Sequence, residues 1–252
     1  MAPHKVITLN KIQIACQSCG LSNICLPLGL ESDDIERLDA IVQRNRPLRR
    51  GAHLFQTGEK FRKVFVVKTG TVKTYTQCPD GSERVIGFHL PGEVIGLDGI
   101  ELGKYICSAK ALETSAICEI PFDQLEKLTA SIPNLQHQMF RLLSREISND
   151  TSLMALLSKS TAEERLAAFL LSLSIRLHSR GFSATEFNLS MSRQEIGSYL
   201  GLALETVSRL FTHFQEEGIL RVNRKYVEIL DLEKLYGLLS QQTVCLERLR
   251  AP

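Results

Sequence analysis

A chain of 252 residues, 44% hydrophobic and 23% charged, has the profile of a globular protein long enough for two buried cores. No apolar run approaches the roughly 18 residues of a membrane span. The opening MAPHKVITLNKIQIAC lacks the apolar stretch of a secretion signal, so a cytoplasmic location is expected, where spaced cysteines bind metal or do redox work more often than they form disulfides. The net charge of +2 is too small for an argument from overall basicity, and residues 161–230 hold eight Lys/Arg against eight Asp/Glu. A nucleic-acid partner must therefore be argued from motif and charge placement.

Residues 1–30 form a cysteine-bearing segment broken by Gly20, Pro27 and Gly29. SDDIERLDAIVQR (32–44) is predicted to be a short helix with Ser32 as N-cap and apolar positions 35, 38, 41 and 42. Between 47 and 121, short alternating runs (HLFQT, KVFVVKTG, TVKTYTQ, RVIGFHL, ALETSAICEI) are separated by glycines, the texture of an antiparallel β-barrel or sandwich. Asp80-Gly81 marks a hairpin between TVKTYTQ and RVIGFHL. Helix resumes near 122 with FDQLEKLTAS, and a long helix is predicted from Pro133. Its positions Gln136, Phe140, Leu143, Ile147, Asp150, Met154 and Leu157 alternate steps of four and three, as along a coiled-coil seam. Packing within the chain and pairing with a second copy both fit that spacing. Asp150 favours the second. A buried carboxylate is costly and would make a dimer marginal, which suits a switch and is only a liability in a static core.

TAEERLAAFLLSLSIRLHSRG is a further helix, ended by Gly181. MSRQEIGSYLGLALETVSRLFTHFQEEGIL (191–220) has helix-turn-helix anatomy. Ser192 caps a first helix, Gly201 supplies a permissive turn, and a second helix runs from about Ala203 to Glu217 and stops at Gly218. Positions 204, 207, 210, 211 and 214 mark its core face. Glu205, Ser208 and Arg209 share another face near its start, where recognition helices touch base edges in the major groove. Arg donates two bonds to guanine, Glu accepts from cytosine and Ser adapts. The plain alternative is a Glu–Arg surface pair worth about 0.2–0.5 kcal/mol. KYVEIL (225–230) is predicted to be one strand of a terminal hairpin with Asn223 in its turn.

The expected fold is α+β: an N-terminal antiparallel β-barrel, a long dimerisation helix and a C-terminal winged helix-turn-helix. The expected units are a cysteine-rich segment at 1–30, a barrel at 31–132, the dimer helix at 133–160, the DNA reader at 161–240 and a tail at 241–252.

Cys16, Cys19 and Cys25 are spaced C-x2-C-x5-C. Close-set thiolates of this kind converge on one soft ion or on an iron–sulfur cluster. Three ligands leave a cluster one short, so a distant fourth is predicted. Cys118 lies in a strand, where a buried structural cysteine is the commoner reading. Cys78, Cys107 and Cys245 are expected to be non-ligands. The same four thiols would also suit zinc. A redox enzyme is disfavoured, because the chain has no Rossmann glycine motif and no P-loop, and its six histidines are scattered.

Five motifs together resemble the Fnr branch of the Crp/Fnr regulator superfamily: CQSC with a third cysteine at 16–25, GFHLPGEVIGLDGI at 87–100, ALETSAICEIPF at 111–122, LLSKSTAEERLAAFL at 156–170 and ETVSRL at 205–210. The likeness runs from Ile14 to about Leu239. It implies a cyclic-nucleotide-binding-like jelly roll for the barrel and a [4Fe-4S] cluster on Cys16, Cys19, Cys25 and Cys118. It also implies base reading by Glu205, Ser208 and Arg209. By the same likeness the chain is an oxygen-responsive regulator and not an enzyme. It would bind palindromic DNA with TTGAT-type half-sites as a cluster-loaded homodimer. In air the cluster would convert to [2Fe-2S] and be lost, and the dimer would part. RNA polymerase is the implied partner, with loops near 67–70 and 180–183 and the 78–84 turn as contacts. Cyclic AMP is not expected. Gly92-Glu93 persists, but Tyr105-Ile106-Cys107-Ser108-Ala109 lacks the arginine that would grip a phosphate. The alternative is a zinc-stabilised, ligand-sensing Crp-like regulator without oxygen chemistry.

Overall fold

The computed structural model describes residues 15–239. The parts of the 1–30 segment and the tail outside that range, including Cys245, lie outside the described residues. Cys16–Ser18 is a single 3-10 turn, and helix α1 follows over Ser32–Ile41. Eight strands build the N-terminal half, the expected sensor: β1 (Gln43–Arg44), β2 (His53–Phe55), β3 (Lys63–Thr69), β4 (Val72–Gln77), β5 (Glu83–His89), β6 (Val94–Ile95), β7 (Ser108–Ala111) and β8 (Ala116–Pro121). They form two four-stranded antiparallel sheets, ordered β1-β8-β3-β6 and β2-β7-β4-β5.

The expected barrel is thus an open jelly-roll sandwich. The run ALETSAICEI is not one strand. It breaks after Ala111, so that β7 joins one sheet and β8 the other. Phe55, Val72 and Ala109 from one sheet meet Phe65, Val67 and Ile117 from the other. Strand β3 explains why KVFVVKT is apolar without alternation, since both its faces are covered. Phe65 and Val67 point into the sandwich, while Val64 and Val66 pack outward with Leu38, Leu125, Leu135 and Leu26.

Helix α2 (Phe122–Ser131) leads into α3 (Pro133–Lys159), with Pro at its first position, where no backbone donor is needed. Leu135, Met139 and Leu142 bury one face of α3 against the sensor.

The reader half contains α4 (Ala162–His178), β9 (Glu186–Asn188), α5 (Arg193–Leu200), α6 (Leu204–Glu216), β10 (Leu220–Asn223), β11 (Tyr226–Ile229) and α7 (Leu232–Gly237). Thr161 and Ser192 cap α4 and α5 through reciprocal bonds with Glu164 and Glu195. Gly201 is left-handed between α5 and α6. At Gly197 a Cβ would stand 2.5 Å from the Leu202 carbonyl, so the turn closes only over glycine.

The two halves share one apolar cluster. Val85, Phe88 and Leu90 of the sensor join Phe169, Ile196, Val207 and Phe214 of the reader. A polar seam runs alongside. Lys73 Nζ bridges Glu83 and Glu195 at 2.6 and 2.9 Å, and Ser198 Oγ accepts from the Val85 N–H.

Local corrections follow from backbone geometry. Glu31, extended, is the N-cap of α1, and Ser32 is already helical. The helix ends at Ile41 because Gln43 and Arg44 pair with Glu119 and Cys118 instead. Cys107 immediately precedes β7. Asn223 is the last paired residue of β10, and the turn is Arg224-Lys225, with Arg224 at φ 55°. The winged sheet has a third strand, β9, that the sequence did not signal. Leu204 opens α6 and is exposed rather than in the core.

Candidate metal centre and DNA interface

The cysteine segment is a succession of tight turns. Cys19 N–H donates to the Cys16 carbonyl at 3.2 Å, Ser22 N–H to the Cys19 carbonyl at 3.1 Å and Leu28 N–H to the Cys25 carbonyl at 3.1 Å. Such turns bring thiols spaced by two and five residues onto one side. Cys118 comes from β8, whose neighbour β1 pairs Arg44 with it. Cys16, Cys19, Cys25 and Cys118 line one cavity together with Leu26, Val66 and Arg44, and among the described residues no carboxylate or imidazole lines it.

Burial pushes the Cys16 thiol up to about 12, aided by the hydrogen bond and charge of Asp39. Burial likewise lifts Cys25 to about 12 and raises Cys118. Cys16, Cys25 and Cys118 are therefore protonated without a cation, and metal binding there must release protons. Among the described residues, no group of three or more Cys, His, Asp or Glu side chains is set to hold a metal ion in this geometry. The all-thiol donor set nonetheless fits a soft metal group. The Nε of Arg44 supports that fit, being buried beside the cavity without an acceptor.

Two further cysteines stand apart from the cavity. Cys78 lies in the β4–β5 turn, and buried Cys107 donates its thiol to Asp98 at 3.3 Å.

The cavity adjoins α3. Cys25 and Leu26 pack into the cluster that contains Leu135, Met139 and Leu142, and Gln138 Nε2 donates to the Cys25 carbonyl at 3.4 Å. On the seam positions of α3, Phe140, Ile147 and Met154 are 61%, 67% and 65% exposed. Gln136 and Asp150 are exposed with them, and Leu143 and Leu157 are half-buried.

Behind the cysteine segment, the Gly92-Glu93 turn carries a charge cluster that the sequence did not foretell. Arg176 donates to both Glu93 carboxylate oxygens, at 3.0 and 2.6 Å, and Arg180 donates to Oε1 at 2.6 Å. The Leu90 N–H adds a bond at 2.9 Å. Burial alone would raise the Glu93 carboxyl, but Arg176 and then Arg180 hold it at about 2. Both arginines belong to the reader half, so this turn ties sensor to reader.

In the reader, Glu205, Ser208 and Arg209 are exposed on α6. Ser208 Oγ donates back to the Leu204 carbonyl at 2.9 Å. Glu205 and Arg209 form no ion pair with each other or with any other described residue, so both side chains face solvent uncommitted. Beneath them the Arg193 guanidinium lies 3.2 Å over the Phe211 ring, clamping α5 to α6.

Comparison with known proteins agrees with this division. The cyclic nucleotide-binding domain matches residues 45–131, and the Crp-like helix-turn-helix domain matches residues 164–238. The transcriptional activator protein anr of Pseudomonas aeruginosa is 50% identical over 91% of this chain and 94% of its own length. The fumarate and nitrate reduction regulatory protein of Escherichia coli is 45% identical over 91% of this chain and 93% of its own. The solved structure of FixK2 from Bradyrhizobium japonicum covers 79% of this chain and 98% of its own, with a TM-score of 0.73 at 30% identity. A helix-turn-helix with an uncommitted polar face, joined to a jelly roll and shared near full length with these activators, makes the chain a DNA-binding transcription regulator. It belongs to the Fnr branch of the Crp/Fnr family.

Proposed function

We propose that this regulator responds to oxygen: Cys16, Cys19, Cys25 and Cys118 hold a [4Fe-4S] cluster, and the loaded chain pairs along α3 to bind palindromic DNA with TTGAT-type half-sites. The observation that carries this is four thiols from two separate segments lining one cavity against the dimer helix. When bound, the cluster supplies an oxygen-labile tie between the N-terminal segment and β8.

The chain's own residues do the rest. The cysteine segment seats Leu26 among Leu135, Met139 and Leu142, so its position governs how α3 is supported. On the opposite face, Phe140, Ile147 and Met154 await a second copy. Burying each contributes about 1.5–3 kcal/mol, and Asp150 keeps the total small. Paired chains present two α6 helices to half-sites about one helical turn apart. With the tie absent, support of α3 slackens, pairing weakens and half the DNA contacts go.

The functional units are the cysteine segment, a sensor at 31–132, the dimer helix at 133–160 and the reader at 161–240. Activation requires RNA polymerase, and the 67–70 and 180–183 loops and the 78–84 turn are the proposed contacts. Glu93 is engaged by Arg176 and Arg180, which supports a sensor that does not use cyclic AMP.

Anisotropy of a TTGAT-bearing duplex at fixed salt tests this. Tight binding in anaerobic buffer that weakens severalfold after air is expected. Equal binding in both would sink the oxygen response and leave the reader intact.

A further inference from the structure

We propose that Arg44 is a positioning residue for the thiol site: its guanidinium holds the Cys16 sulfur in place and supplies that sulfur with a hydrogen bond when it acts as a thiolate ligand. The inference rests on the cluster reading and deepens it, since no cysteine-spacing rule points to an arginine on strand β1.

Three observations carry it. Arg44 Nη2 donates to Cys16 Sγ at 3.3 Å. The Arg44 backbone is the ladder partner of Cys118, so one residue meets two of the four thiol positions from different segments. Finally, Arg44 Nε is the buried side-chain polar atom left without a hydrogen-bond partner among the described residues. Such an orphan is costly, and an anionic group in the adjoining cavity would remove that cost.

Asp39 completes the arrangement. Its Oδ1 accepts from the Cys16 N–H at 2.8 Å and also from Arg44 Nη2, so one carboxylate fixes both the guanidinium and the turn that carries Cys16. Four thiolates around an iron–sulfur core leave net negative charge. Donors to the ligand sulfurs orient the ligands and raise the reduction potential. Lysine would keep the charge and could donate to both Cys16 and Asp39, as Nη2 alone does here, but would lose the buried Nε–H beside the cavity.

The test uses the full chain and its Arg44→Leu and Arg44→Lys variants, all purified without oxygen. Iron and sulfide content, circular dichroism, and the midpoint potential of the one-electron couple in a dithionite titration are read for each. We expect unchanged circular dichroism in all three. Arg44→Leu should show a lowered potential and severalfold faster bleaching in air, and Arg44→Lys should recover part of both. If Arg44→Leu assembles no cluster, Arg44→Gln replaces it in the comparison with Arg44→Lys, and the lower potential is expected in Arg44→Gln. A parent-like potential and bleaching rate in the neutral variant overturn the proposal while leaving the cluster reading standing. A parent chain without iron or sulfide overturns the cluster reading and the proposal with it.

Discussion

The cysteine segment and the Gly92-Glu93 turn lie back to back, with the Ile24 side chain against Gly92, yet they meet charge in opposite ways. Every acceptor position of Glu93 is used. Two arginines and a backbone N–H converge on it, and its carboxyl stays ionised. The thiol cavity is unfinished by the same measure. Burial raises the thiols of Cys16, Cys25 and Cys118, and Arg44 keeps a buried N–H without a partner among the described residues. A saturated buried network acts as a joint, fixing one arrangement of the parts it links. A buried site with orphaned groups marks a place where something else belongs. Ile24, next to Cys25, touches the turn whose Glu93 ties the two halves together.

The sharpest way to break this contrast is to remove one proposed ligand. Cys118→Ala should lose all iron and sulfide while circular dichroism and thermal unfolding stay near those of the cluster-free parent, since the lost tie is the cluster's and not the thiol's own. Full metal content in that variant would remove Cys118 from the site.

Glu93→Gln attacks the saturated side. It leaves two arginines short of their counter-charge and should cost stability toward the lower end of roughly 3–5 kcal/mol, because the carboxylate keeps 20% of its surface in water. A chemical-denaturation midpoint unchanged from the parent's would show that the joint is ornamental. The Glu93 pKa is depressed from 4.5 to about 2, so its contribution is present above about pH 4.5 and disappears as pH falls through about 2.

Asp150→Ala acts away from both sites, on the exposed α3 seam. It should favour the dimer about tenfold, roughly 1.4 kcal/mol, and prolong pairing in air. Sedimentation matching the parent's would remove Asp150 from the switch.

The smallest effect is expected at Glu146. Burial, then the charges of Glu93 and Asp150, push its carboxyl from 4.5 up to about 7, against the opposing pull of Arg176 and Arg145. A raised carboxyl contributes fully below about pH 4.5, and its contribution is lost as pH rises through about 7. Glu146→Gln should therefore unfold about 1–3 °C higher than the parent at pH 8 and together with it at pH 4. A difference that persists at pH 4 would contradict the charge argument.

The reader was legible because its signals are local. Ser192 with Glu195, Gly201, and the apolar positions of α6 lie within a few residues of one another, and each carries its own physical reason. The long helix was legible from period alone. Its two apolar faces, Leu135 and Met139 inward and Phe140 and Ile147 outward, could be separated only by the structure. A barrel or sandwich was legible from the alternating runs, but its open form and its sheet assignment were not. Where ALETSAICEI breaks depends on which sheet each half joins, and alternation is silent on that. The Glu93–Arg176 contact spans 83 residues and Arg44–Cys16 spans 28. A lone arginine carries no spacing code, so neither contact announces itself in the chain. Gly197 was also missed, because its need is set by the Leu202 carbonyl across the turn.

The most direct measurement is iron and sulfide content with the visible spectrum of the chain purified without oxygen, followed by admission of air while light scattering records its mass. About four irons and as much sulfide per chain, the content of one [4Fe-4S] cluster, with a colour that bleaches as dimer becomes monomer, is the predicted result. A colourless chain holding zinc, or one whose mass ignores air, would contradict the sensor while leaving the DNA reader in place.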